Sequence, residues 1–115
     1  MDPAQALADV TEISSQIEAV VLLDGEGAVL ASNVEPGAAG RIAQGVVQLL
    51  EQAAAASPRD GGEVVQAEAA TPDGSVFVVR EGGRIVGATT GPEPTVGLVF
   101  YDLRSCLRSL EEPDA

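Results

Sequence analysis

The sequence contains no histidine and no lysine, and together these absences remove much of the ordinary catalytic repertoire. Histidine is the commonest general base near neutral pH, the usual activator of serine and cysteine nucleophiles, and the commonest metal ligand. Without lysine there is no Schiff base and no phosphate-binding loop of the GxxxxGK[ST] kind. Cys106 is the single cysteine, so an internal disulfide is excluded and a Cys/His zinc site has nothing to build on. A lone thiol fits a reducing cytoplasm, which is the expected location. Tryptophan is absent and the aromatic residues are Phe77, Phe100 and Tyr101, so a core must be assembled from Val, Leu, Ile and Ala. No apolar run approaches the ~20 residues of a membrane-spanning helix. Met1-Asp2-Pro3 does not open a basic-then-apolar signal segment.

Positive charge is scarce as well. All the basic residues are arginine, six in number against 18 acidic residues, and the formal net charge is −12. Phosphate backbones and anionic lipid surfaces repel such a chain, so neither nucleic acid nor membrane is an expected partner. What is present is an ordinary globular balance: 115 residues, 45% hydrophobic and 21% charged. That length supports one core and not two. Residues 1–112 are read as a single domain and 113–115 as a flexible tail.

Asp2 and Pro3 form a helix start, followed by Ala6, Leu7, Val10, Ile13 and Ile17 at helical spacing; this predicts a helix ending near Ile17. Ala19–Asp24 is an unbroken apolar run suited to a strand covered on both faces. Asp24-Gly25-Glu26-Gly27 turns the chain into a second strand, Ala28–Asn33. After Glu35-Pro36-Gly37 comes a long helix over 38–56. Its main apolar line is Ala39, Ile42, Val46, Leu49 and Ala53, with a second line of Ala43, Val47, Leu50 and Ala54 beside it. Arg41, Gln44, Gln48, Glu51 and Gln52 occupy the opposite side. Three linked strands follow: 63–70, polar as an edge would be, then 75–80 and 85–89, joined at Thr71-Pro72-Asp73-Gly74 and at Gly82-Gly83. Thr95 caps a last helix carrying Val96, Val99, Phe100, Leu103, Cys106, Leu107 and Leu110 on one stripe. The fold class is therefore α/β of the α+β type, α-β-β-α-β-β-β-α, with a five-stranded, mainly antiparallel sheet.

Few residues remain for chemistry. Asp24 and Asp73 are a carboxylate pair that nothing in the sequence brings together, and Asp24-Gly25-Glu26 lacks the repeated spacing of a calcium loop. Cys106 lies on an apolar stripe, as an inert core thiol does. No catalytic residue, cofactor or metal is expected, and the chain is read as binding rather than catalysing.

Three passages resemble the Roadblock-type family, which includes dynein roadblock light chains and MglB-like proteins. They are Ile17–Gly27 with its Asp-Gly turn, Val29-Leu30-Ala31-Ser32 before the long helix, and Pro94–Val99 leading into Leu103-Arg104. The resemblance implies a sheet with the long helix on one face and the terminal helices on the other. It also implies a homodimer in which third strands pair and long helices lie side by side. On that reading Ile42, Val46 and Leu49 face the sheet, while the dimer interface comprises Ala43, Val47, Leu50, Ala54, Val64, Gln66 and Glu68. The family's usual partner is a Ras-like small GTPase, for which Arg41, Gln44, Gln48 and Arg59 are candidate contacts. An activating arginine finger would come from Arg41, Arg59, Arg80 or Arg84. The alternatives are a structural dimerisation module in a motility or signalling complex, and a small-ligand sensor.

Overall fold

The computed structural model describes residues 1–57 and 63–110. Asp2 accepts a hydrogen bond from the Gln5 N–H at 2.9 Å and starts helix α1, Pro3–Ile13. The helix ends four residues earlier than its apolar spacing predicts. The Ser14 N–H closes the last turn on the Val10 carbonyl, and Ile17, in step with the helical stripe, is instead the first residue of strand β1, Ile17–Asp24. Ile17 is buried because it pairs opposite Thr90 in the sheet, not because a helix presents it.

Strand β2, Val29–Ser32, returns beside β1. At the turn the Asp24 carboxylate accepts from the N–H groups of Glu26 and Ala28 at 2.8 and 3.0 Å. Those donors, Ala28 foremost, hold its pKa below the usual aspartate value. Asn33 then braces the far end of the hairpin, accepting from the Val20 N–H and donating to the Glu18 carbonyl.

Helix α2, Pro36–Ala55, is followed by strands β3, Gln66–Thr71; β4, Gly74–Glu81; and β5, Arg84–Thr90; helix α3, Val96–Leu110, closes the order. The sheet order is β2-β1-β5-β4-β3, and every neighbouring pair is antiparallel. Gly82 and Gly83 both have positive φ, 64° and 78°, as the tightest hairpin turn between β4 and β5 demands. The expected tail, 113–115, lies outside the described residues.

Strand alternation divides the sheet into two unequal faces. Val20, Leu22, Phe77, Val79, Val86 and Ala88 meet α1 and α3, where Val99, Phe100, Leu103 and Leu107 complete a closed core. Phe77 and Phe100 meet edge to face with centroids 5.1 Å apart. The other face offers Val21, Leu23, Val78 and Ile85 to α2 alone, through Ala39, Ala43, Val46 and Leu50. Helix and sheet approach closely there because Gly87 has no side chain; a Cβ at that position would overlap Val46.

Candidate functional site

Helix α2 stands as a ridge on its face of the sheet, with a hollow on either flank. Towards β3, Ile42, Gly45, Val46 and Leu49 form a groove of about 260 Å³ with Ala69, Val76 and Thr89, and Arg41 sits at its rim. Towards β2, Gly40, Val47, Gln48 and Glu51 border a shallower hollow of about 420 Å³ with Gly27 and Val29; Ala43 and Gln44 also line it.

This arrangement corrects the expected division of the helix. Ala43 and Leu50, assigned to a partner, are 5% and 3% exposed and pack on the protein's own sheet. Val47, half-buried, turns to the β2 side, where it lies against the space beside Gly27. Ile42 and Leu49, expected to face the sheet, are half-buried and line the β3-side groove. Only Val46 of the expected inward set is fully buried. The apolar arc is wide, as its sequence indicates, but its centre is rotated from the predicted line. The reason is the asymmetric seat: α2 drops onto the gap at Gly87, which makes Val46 the deepest point and lifts both flanks.

Strand β3 supplies the second element. It pairs with β4 on one side only and is the last strand of the sheet, with all its residues but Ala67 exposed. Among the described residues its outer N–H and C=O groups have no strand neighbour. Ala69 faces the groove under α2, and alternation puts Ala67 on the same face. Gln66 is on the opposite face, where Arg104 donates to its side chain. Glu68 is exposed, and Val64 packs against the α2-side core. Ala54, near the end of α2, is exposed.

Of the candidate GTPase contacts, Arg41 belongs to the β3-side groove while Gln44 and Gln48 border the β2-side hollow, so the crest of α2 separates them. Arg59 lies outside the described residues. Arg80 is held by Glu63 at 2.7 Å. Arg84 begins β5 opposite Asp24 and Glu81. The carboxylates Asp24 and Asp73 are at opposite ends of the sheet: Asp24 pairs level with Arg84 at the start of β5, whereas the turn holding Asp73 adjoins Thr90 at its end. Six residues of strand separate those levels, roughly 20 Å, which rules out a shared reaction centre for the pair. Cys106 is buried, and that burial, with the Asp9 charge second, pushes its thiol up to about 11.

Residue-level reading from sequence missed Gly45, Ala69, Val76 and Thr89. Small and β-branched residues give no individual signal, and only the packing of helix against sheet gathers them into one groove. No helix among the described residues is long and apolar enough to cross a membrane.

Comparison with solved structures places this architecture. A Roadblock/LC7 domain from Streptomyces avermitilis superimposes with a TM-score of 0.84 at 21% identity, covering 96% of this chain and 95% of that one. Myxococcus xanthus MglB gives 0.62 at 16% identity, over 93% of this chain and 86% of its own. The gliding protein MglB from Thermus thermophilus gives 0.64 at 12% identity, over 89% and 80%. No protein-family model matches the sequence, and no curated protein matches it either. The chain has the Roadblock/LC7 fold.

Proposed function

We propose that this protein is a homodimeric, non-catalytic binding module that recruits and regulates a small Ras-like GTPase. The observation that carries the proposal is the open β3 edge lying beside the apolar groove of Ile42, Gly45 and Leu49. An unpaired edge strand invites another strand. A second copy adding its own β3 there would extend the sheet across a two-fold axis, and its α2 would lie along the first through the Gly45 flank. The same operation repeated on both copies closes the assembly and leaves no open edge at that end.

Such a dimer would present two α2 crests side by side, and this composite surface is the proposed GTPase platform. Arg41 lies at the seam, with Gln44 and Gln48 farther out. The protein's part is to bind and to stabilise the GTPase's own catalytic arrangement, and the proposal assigns no arginine finger. Support for a GTPase partner comes from the family resemblance and the shared fold, including likeness to MglB.

Light scattering on the wild type and Leu49→Glu tests the dimer. The expected result is twice the chain mass for the wild type and the monomer mass for the variant, with unchanged circular dichroism. A monomeric wild type removes the homodimer. Binding assays against the host's Ras-like GTPases, loaded with GDP or a GTP analogue, test the partner. Nucleotide-dependent binding weakened by Arg41→Ala is expected. A stable dimer that binds none of them favours a scaffold role instead.

A further inference from the structure

On the opposite face of the sheet, α1 and α3 lie together over the closed core, and a crevice of about 90 Å³ remains between them. Ala6, Val10, Ile13, Asp102, Ser105 and Cys106 line it. Asp102 is the feature that a closed core does not explain. It is only 7% exposed, yet no hydrogen bond or ion pair within the described residues meets its side chain. Its carboxylate borders the open crevice, where it is available to pair with an incoming cation.

Ile13, at the end of α1, lines the crevice and is 74% exposed, and two more large apolar side chains on α3, Leu98 and Tyr101, are 48% and 64% exposed. Leu98, Tyr101, Asp102 and Ser105 fall at helical positions i, i+3, i+4 and i+7, so they form one stripe along α3. The hydrogen bond from the Thr95 N–H to Gln16 fixes the start of α3 beside the segment that follows Ile13.

The charge around this stripe has one sign on the α1 side. Asp9 is close enough to Cys106 to raise its pKa, and Glu12 is exposed on the last turn of α1. The arginines of α3 are directed elsewhere, Arg104 to Gln66 and Arg108 to Glu81. Nucleic acid and anionic lipid are repelled by this acidic surface. What fits is an apolar stripe flanked by positive charge, and a third helix laid over two packed helices is the usual way to bury such a stripe.

We infer that the α1–α3 crevice is a docking site for a basic amphipathic helix of a partner protein, one of whose arginine or lysine side chains enters beside Asp102 while its apolar residues cover Ile13, Leu98 and Tyr101. The site is on the far face of the sheet from α2 and does not depend on the GTPase reading. It gives the domain a second attachment surface that remains accessible when β3 edges are paired.

Two synthetic helical peptides with the same leucine stripe, one carrying arginine and the other glutamate on the polar face, test this with the full chain. Fluorescence anisotropy gives the affinities, and amide chemical shifts locate the contact. The arginine peptide is expected to bind with shifts centred on Ile13 and 98–105, and the glutamate peptide not to bind. Asp102→Asn should weaken the arginine peptide about tenfold, the loss of one charged pair. Glu51→Gln, which removes an exposed charge on α2, should leave it unchanged. Tyr101→Ser, at an exposed position, should also weaken it without disturbing the fold. Failure of the arginine peptide to bind, equal binding of the glutamate peptide, equal affinity for Asp102→Asn and wild type, or shifts centred on α2 would each overturn the inference.

Discussion

The two faces of the sheet are built from the same strands but by different rules. Under α1 and α3 the contacts are large side chains in full burial, with Phe77 against Phe100 and Leu22, Leu103 and Leu107 around them. Under α2 the helix contributes Ala39, Ala43, Val46 and Leu50, and it is seated by the absence of a side chain at Gly87. Two helices cover the first face and one covers the second, so α2 retains half-buried Ile42, Val47 and Leu49 along its flanks. The first face buries the larger side chains and is expected to hold most of the stability. The second is covered by one helix only, and its open flanks carry the proposed dimer contact.

That contrast is open to direct attack. The largest effect is expected from Phe77→Ala, which empties the centre of the closed face. It should cost about 3–5 kcal/mol in urea denaturation, and a loss below ~1 kcal/mol would show that this face is not the main store of stability. Gly87→Ala attacks the other face by adding a methyl group where Val46 sits. A loss of roughly 1–3 kcal/mol is expected from overpacking, with amide shifts concentrated in α2. Shifts spread evenly over both faces would mean that α2 is not seated independently.

The smallest effect is the pH response of Cys106, whose thiol is raised by burial from 9.0 to about 11. The unfolded chain loses this proton first. Stability from the protonated thiol is therefore intact below pH 9.0 and is lost as the pH climbs through about 11. Denaturation midpoints followed through this range should fall more steeply for the wild type than for Cys106→Ala. Parallel slopes would show that the thiol titrates as if it were exposed.

Much of the fold was legible because periodicity and turn chemistry act locally. Asp24-Gly25, Pro72-Asp73-Gly74 and Gly82-Gly83 marked their turns, and the unbroken run 19–24 announced a strand paired on both sides. The misreading at Ile13 and Ile17 has a simple origin. A spacing of four residues satisfies a helix stripe whether or not the helix continues, and only the pairing of Ile17 with Thr90 distinguishes the two cases. The candidate site was less legible. The width of the apolar arc on α2 is written in its composition, but its direction is not.

By itself, then, the amino-acid sequence determined the order of elements, the poverty of catalytic groups, the strongly acidic character and the presence of a helix too apolar for one contact. These follow from residue type and short-range spacing. Tertiary structure alone decided how the flanks of α2 stay open, that β3 is a free edge beside it among the described residues, and that Asp102 lines the crevice between α1 and α3. Each of these depends on residues far apart in the chain meeting in space: Val46 settling over Gly87, β3 finding only β4 as a neighbour, and α1 crossing α3 beside a carboxylate that local pattern assigns to no particular face.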